Sequence, residues 1–399
     1  MLEKLLESKS WDEFIKAKLD NNYSSIFTKR KVNKILKDQK YLDISKAIAN
    51  GTYEFSIPTK HVLSKNASSK RRIVYLLSLE ESFVLKHVSF LLYQYDYLFS
   101  PNLYSFRKKT GVKCAIDSIR QNNELSGLYG YKLDISNYFN SIDIDMFLSD
   151  LKGKVDEDIY NLFSKLYLDK RVSFHSEIIE ENKGAMAGVP LSAFAANFYI
   201  REIDQFFNKQ KVLYLRYADD IIFFTKTREE REKRINEIKQ MLANKKLSIN
   251  EDKVTYIEPG DCFEFLGFGF DGKTIDISKH SKQKIKDKIK RQARRLLVWK
   301  EKKNLTSEKA LVAINKKFNK KFYGKVDNET SWSYWYFPII NTSKSLKEVD
   351  AYFQQEQRYL FTGHHNKTNY KKCSYEKLKE CGYKSLVHEY YSFKKNGQR

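Results

Sequence analysis

The chain of 399 residues carries 73 Lys and Arg against 50 Asp and Glu, a formal net charge of +23. So one-signed an excess calls for a polyanionic partner, most commonly phosphate backbone, and no apolar run approaches the roughly 20 residues needed to cross a bilayer. Four cysteines (Cys114, Cys262, Cys373, Cys381) lack any C-x-x-C pair, which excludes a disulfide framework in favour of a reducing, cytoplasmic setting with no membrane partner.

From Met1 to about Asn50, Leu2, Leu5, Leu6, Trp11, Phe14 and Ile15 recur at helical spacing among charges, which predicts an N-terminal helical extension rather than a secretory leader. Gly51 breaks the pattern. After Pro58 and a polar turn, Lys70-Arg71-Arg72 lead into a predicted strand through Leu77. Glu80 to Tyr97 is helical through Val84, His87, Val88, Leu91 and Leu92. A loop opened by Pro101 then carries Ser105-Phe106-Arg107, and Ala115 to Arg120 starts a short helix. Tyr129 to Ile135 reads as a strand holding Asp134, followed by the polar-aromatic Ser136 to Asp143 and a helical stretch to about Leu168. Gly184 to Ser192 is a flexible loop, and Ala193 to Phe206 a small-residue helix suited to packing on a sheet.

Leu213 to Thr225 is two short runs of β-branched and aromatic residues joined at Ala218, Asp219 and Asp220, a hairpin with acid at its tip. Adjacent carboxylates flanked by apolar strands need a partner or a metal if buried, whereas an exposed turn uses Asp merely for its tolerance of turn geometry. Thr227 and Glu230 have the form of a capping box on a helix whose stripe is Ile235, Ile238 and Leu242. Leu247 to Ile257 is strand-like and holds Lys253, and Phe263 to Phe268 reads as a second apolar hairpin. Between Lys279 and Lys303, twelve Lys and Arg face two acids while Ile285, Ile289, Ala293 and Leu296 keep one face apolar. Such a helix would self-repel unless an anion lay along it, so Lys284, Lys288, Arg291 and Arg295 are read as a backbone-tracking stripe. His364, His365, Cys373 and Cys381 match no common zinc spacing.

Strands and helices mix without strict alternation, which predicts an α+β fold. Asp134, Asp219 and Asp220 then stand on strands of one sheet. Two divalent ions held by such carboxylates are what nucleotidyl transfer needs to activate a 3′-hydroxyl and neutralise pyrophosphate. Lys70, Arg71, Arg72 and Arg107 could clamp a triphosphate, and Lys253 could protonate the leaving group.

The ordered set Lys70-Arg71-Arg72, Ser105-Phe106-Arg107, Asp134-x4-Phe139, Gly188-Val189-Pro190, Tyr217-Ala218-Asp219-Asp220, Lys253 and Phe265-Leu266-Gly267 resembles reverse transcriptases of the bacterial type. It is similar in order and spacing to group II intron and retron enzymes. The resemblance implies a right-hand polymerase with fingers over 51–128 and a palm of antiparallel sheet and helices over 129–272, including fingers-associated helices at about 144–183. A basic helical thumb and tail fill 273–399. It implies Asp134 and Asp219 as principal ligands of two Mg2+ ions, with Mn2+ as a substitute, Asp220 in support and the backbone of Ile135 completing the site. It further implies that Gly188 and Pro190 shape the nucleotide pocket and that Phe265, Leu266 and Gly267 form a primer grip. An aromatic ring at Phe139 would lie under the sugar C2′, leave no room for a hydroxyl and select deoxynucleotides.

Leu191-Ser192 departs from the Gln-Gly usual in intron and retron enzymes, and no ribonuclease H or His/Cys-rich endonuclease pattern is read. The tail, with Arg358 to Gly363, Asn369-Tyr370 and Gly382 to Val387, resembles stand-alone defence-associated and abortive-infection reverse transcriptases. The expectation is DNA synthesis from dNTPs in anti-phage defence on a noncoding RNA template, with a DNA product and a homo-oligomer or partner protein from the same locus as further options. Untemplated or protein-primed synthesis, and a catalytically idle RNA-binding scaffold, stand as alternatives.

Overall fold

The computed structural model describes residues 1–19, 26–64, 71–324 and 331–396. They form two compact units, the first drawn from Met1–Asn21 and Phe27–Pro259, the second from Gly260–Arg399. The division falls before the expected palm boundary at 272, so Phe265 to Gly267 belong to the second unit.

In the first unit, helices α1 (Ser8–Leu19), α2 (Ile26–Asp38) and α3 (Lys40–Ala49) open the chain. Leu2, Leu5, Trp11 and Phe14 bury themselves as their spacing predicts, whereas Leu6 stays 52% exposed. Strands β1 (Thr59–Ser64) and β2 (Arg71–Leu76) pair antiparallel. Helix α4 (Leu79–Leu91) starts from a complete capping box: the Glu81 amide donates to Ser78 Oγ at 3.1 Å and the Ser78 amide to Glu81 Oε2 at 3.0 Å. Helix α5 (Val112–Arg120) leads to β3 (Tyr129–Asp134), then come α6 (Ile144–Leu151) and α7 (Glu157–Leu168).

The segment at about 144–183, expected to hold fingers-associated helices, also contains a hairpin, β4 (Arg171–Phe174) and β5 (Glu177–Glu180), which extends the β1–β2 sheet. Its turn residues His175 and Ser176 both adopt positive φ, 51° and 69°. Glycine and asparagine are the usual occupants of such a turn, so composition carried no hint of it. The expected helix over 193–206 is two, α8 (Ser192–Tyr199) and α9 (Arg201–Lys209). They break at Ile200, where the Arg201 guanidinium donates to the Phe198 carbonyl at 3.0 Å.

The central sheet has the order β6 (Leu213–Tyr217), β7 (Asp220–Thr225), β3, β8 (Thr255–Ile257), all antiparallel. Helix α10 (Arg228–Asn244) packs on β3 and β7 through Ile235, Ile238 and Leu242, all buried. Thr227 caps it as expected, with the Glu230 amide on its Oγ1 at 3.2 Å; Glu230 returns the bond to the Lys226 amide rather than to Thr227. The strand expected over 247–257 is shorter, because Glu251–Lys253 form a 3-10 turn ahead of β8.

In the second unit, β9 (Phe263–Phe265), β10 (Phe268–Asp271) and β11 (Thr274–Ile277) form an antiparallel meander. The β9–β10 turn places Leu266 at φ 50° and Gly267 at φ 88°. A Cβ on Gly267 would stand 3.3 Å from Ser281 Oγ. Helices α11 (Lys279–Lys302), α12 (Ser307–Tyr323), α13 (Trp332–Trp335) and α14 (Lys344–Thr362) follow, and Ile285, Ile289, Leu311, Phe318, Val349 and Phe353 make their shared core. Cys373 and Cys381 are buried, and His365 stacks on Tyr359 at 4.3 Å. Among the described residues no helix is long and apolar enough to cross a membrane.

Candidate active site

Strand pairing sets Asp134 beside Asp220, with Asp219 in the adjoining turn. Asp134 ends β3 directly opposite Asp220, which begins β7, so both side chains leave the same face of the sheet. Asp219 occupies the two-residue turn between β6 and β7 with Ala218, whose φ is +57°, a region that an L side chain enters at a cost of about 1 kcal/mol or more. The turn is tied to β3 by the Ile135 amide donating to the Asp219 carbonyl at 3.1 Å.

Burial and like charge crowd the carboxylates of the turn. Burial, and after it the neighbouring Asp134, holds the Asp219 carboxyl above the usual carboxylate range, against smaller pulls from Lys253 and Arg72. Burial also pushes Asp220 up to about 6, with Lys132 opposing and Asp219 and Asp134 adding to the rise. The Lys253 ammonium sits 2.6 Å from Asp134 Oδ1, a cation resting on the carboxylate expected to ligate metal. Among the described residues no three His, Cys, Asp or Glu side chains converge as a ready ligand cluster. An ion here would therefore draw further ligands from backbone, water and substrate phosphate, as Mg2+ ordinarily does. The donor set fits a divalent ion on those terms.

Beside the aspartates opens a cavity of about 450 Å3, lined by Asp134, Asp219, Arg71, Arg72, Phe139 and Lys253 among others. Asp220 does not line it. The cations stand on β2 and on the turn before β8, while Phe139 comes from a 3-10 turn (Tyr138–Ser141) that directly follows β3. Its ring is wedged edge-on against Phe106 at 6.1 Å and Tyr138 at 5.8 Å.

The loop before α8 forms one side of the cavity through Ala187; Gly188 and Pro190, expected to shape the pocket, are not among its lining residues. Gly188 acts one step back. At φ +112°, a Cβ there would lie 2.7 Å from the Tyr75 carbonyl, so glycine lets the loop press against β2. The Tyr75 amide donates to the Ala187 carbonyl at 2.8 Å. Asn140 spans the same joint, accepting from the Ala187 amide at 3.0 Å and donating to the Ile73 carbonyl at 3.3 Å. Pro190 accepts a bond from Ser89 at 3.3 Å. Leu191 and Ser192, the departure from Gln-Gly, are both buried, with Ser192 Oγ donating to the Met186 carbonyl at 2.6 Å.

Arg107 is not at the cavity, contrary to expectation. Its guanidinium makes two 2.7 Å bonds to Asp96 and caps the Ser100 and Leu103 carbonyls, which leaves no fork for a phosphate. Lys70 lies outside the described residues. The motifs also passed over Asn140 and a fully buried ion pair, Arg216 with Asp204. One signal was legible: Arg216 sits inside an apolar strand, and a charge there must have a partner.

In the second unit, Phe265 is a core side chain at 1% exposure. Lys284, Lys288, Arg291 and Arg295 are exposed along one stripe of α11, and no described acid pairs with any of them. Lys282 and Lys286, on a different face, pair with Glu348 at 2.9 and 3.8 Å.

Residues 62–270 match the family described as reverse transcriptase (RNA-dependent DNA polymerase). Over 142 residues the chain is 31% identical to a retron reverse transcriptase of Escherichia coli, covering 33% of this chain and 44% of that protein. The chain thus spans less than half the length of this curated relative. Among solved structures, apo telomerase from Candida tropicalis aligns with a TM-score of 0.47 at 13% identity, covering 85% of this chain and 62% of that one. Telomerase from Candida albicans in complex with a fragment of telomeric RNA aligns at 0.44 and 12%, covering 86% and 67%.

Proposed function

The chain belongs to the reverse transcriptase family, and from that premise we propose that it is an RNA-directed DNA polymerase that copies an associated noncoding RNA into DNA as part of an anti-phage defence system. The observation that carries the polymerase reading is the convergence of Asp134, Asp219, Arg71, Arg72, Lys253 and Phe139 on one cavity of about 450 Å3, a size suited to a nucleotide. The retron enzyme among the relatives and the resemblance of the tail to defence-associated enzymes support the choice of template and role.

Asp134 and Asp219, with the backbone of Ile135, are the residues that would hold divalent ions, Mg2+ by preference, with Asp220 in support from the neighbouring strand β7. Such ions, when bound, favour the attacking alkoxide and neutralise the departing pyrophosphate. The rest of the work falls to the chain's own side chains. Arg71 and Arg72 offer positive charge to a triphosphate. Lys253, whose ammonium rests on Asp134 at 2.6 Å, stands at the cavity where it could donate a proton to departing pyrophosphate. Phe139 bounds the cavity where a ribose 2′-hydroxyl would need space and a hydrogen-bond partner.

Purified protein is expected to extend a primer on an RNA template with dNTPs and Mg2+, and Asp219→Ala is expected to lower that rate by about a thousandfold or more. Sequencing RNA and DNA that copurify with the wild type and with Asp219→Ala tests the template. No dNTP incorporation by folded wild-type protein on any primed RNA would sink the polymerase reading. DNA that matches no copurifying RNA would sink the templated one.

A further inference from the structure

We infer that Ser105 is a positioning residue for the Asp219 turn, holding it through a buried network completed by Asn197, Asp204 and Arg216. The inference rests on the polymerase reading above and assigns a role to a residue two positions before Arg107, whose guanidinium is engaged by Asp96. Ser105 is 0% exposed, Asn197 1%, and Asp204 and Arg216 0%.

The turn cannot hold its own shape. Ala218 stands at φ +57° where glycine would be free of strain, and Asp219 is the next residue. Both backbone polar groups of Ala218 are claimed from outside the hairpin turn. Its amide donates to Ser105 Oγ at 2.8 Å, and its carbonyl accepts a long bond from Arg216 Nη1 at 3.4 Å. Ser105 Oγ donates its own proton to Asn197 Oδ1 at 3.2 Å, and Asn197 Nδ2 returns a bond to the Ser105 carbonyl at 2.9 Å. Arg216 is fixed in turn by Asp204, with Nε to Oδ1 at 2.7 Å and Nη2 to Oδ2 at 2.5 Å, and by the Asn197 carbonyl at 3.1 Å. Tyr214 adds a third bond to Asp204 at 2.9 Å.

The loop that carries Ser105 is itself built as a frame. The Arg216 amide donates to the Asn102 carbonyl at 3.0 Å and the Tyr104 amide to the Arg216 carbonyl at 2.9 Å, so the loop runs along β6 like a further strand. Arg107 locks its far end to Asp96. Between those anchors Ser105 holds the turn and Phe106 lies edge-on to Phe139. One short segment thus braces both the turn that carries Asp219 and the Phe139 ring that lines the cavity.

A buried ion pair adds little stability over an apolar pair of equal volume, but it does fix an orientation. Loss of the Ser105 hydroxyl would leave the Ala218 amide buried without an acceptor. The peptide could then rotate to find one, and rotation carries Asp219 with it. A displacement of about 1 Å at such a group can lower a rate by about a hundredfold.

The test compares full-length wild type with Ser105→Ala in three measurements: Mn2+ binding by electron paramagnetic resonance without nucleotide, kcat and KM for dNTP, and thermal melting. Mn2+ affinity is expected to weaken about tenfold and kcat to fall at least as far, with KM for dNTP within about twofold and the melting temperature little changed. If Ser105→Ala does not fold, the double variant Asp204→Leu with Arg216→Met, which fills the same space with apolar side chains, takes the same measurements. Wild-type Mn2+ affinity and kcat in whichever variant folds would overturn the proposal, as would absence of Mn2+ binding by the wild type. The polymerase reading fails separately, through absent dNTP incorporation by a wild type that does bind Mn2+.

Discussion

Phe139 is half-buried, with Phe106 and Tyr138 edge-on to its ring. Its place in the cavity wall makes a sharp prediction. Phe139→Ala is expected to improve use of ribonucleotides relative to deoxynucleotides by about 10- to 100-fold, the range that pocket size alone can command. Single-nucleotide primer extension with dGTP and GTP measures it, and an unchanged ratio would show that the ring is not the boundary. Arg107 makes the opposite case at the same scale. Spacing singles out both residues, but for Arg107 it says only that a cation stands at this point of the chain. A carboxylate at Asp96, eleven positions earlier, decides that the guanidinium turns inward. Nothing local announces that choice.

Among the elements, the helices over residues 1–50 are less an appendage than their position suggests. Trp11 stacks on Phe83 of α4 at 5.6 Å and meets His87 edge-on at 4.2 Å, while Phe14 stacks on the same imidazole at 4.9 Å. His87 is fully buried with Ser10 as its hydrogen-bond partner at 2.9 Å, and burial lowers its pKa from 6.5 to about 4. In the unfolded chain that imidazole takes up a proton near pH 6.5, while the folded one refuses it until about pH 4. This contribution is therefore complete above about pH 6.5 and is lost as pH falls through the interval, to a total of roughly 3 kcal/mol. Urea unfolding from pH 8 to pH 5 is expected to show about 2 kcal/mol of this fall in wild type and a shallower one in His87→Met; equal slopes would place the titration elsewhere. The α+β character, the Asp219 hairpin, the Asp134 strand, the α10 stripe and the α11 face were all legible, because each is a run long enough for periodicity to speak. The β4–β5 hairpin was not, since His175 and Ser176 turn without glycine or asparagine. Nor was the break at Ile200, which places Asp204 opposite Arg216; that demand comes from the sheet, and the helix's own residues do not encode it. The cavity's cations were legible in the sequence, while Asn140, Ser105 and Asn197 were not, because hydroxyl and amide side chains carry no pattern until their partners are placed.

At the scale of the molecule, the division at Pro259 and Gly260 separates two hydrophobic cores. All the residues of the candidate cavity belong to the first unit, and the basic stripe of α11 belongs to the second. The second unit buries Ile285, Ile289, Leu311, Ile314, Phe318, Phe322, Leu346, Val349, Phe353 and Leu360, an apolar interior of the kind that folds alone. Residues 260–399 produced by themselves are therefore expected to be helical by circular dichroism, to melt cooperatively, and to bind nucleic acid without polymerising dNTPs. Binding should be salt-dependent, since Lys284, Lys288, Arg291 and Arg295 lie exposed on one stripe with no acid paired to them among the described residues. Replacing all four with Gln is expected to flatten the plot of log affinity against log salt by about 0.7 to 0.9 for each phosphate no longer neutralised, whatever the sequence of the strand. Lys282 and Lys286, already engaged by Glu348, supply the control, because their replacement should leave that slope almost unmoved. An equal drop in slope from both sets would mean that net charge alone, and not the stripe on α11, governs how this unit meets a phosphate backbone.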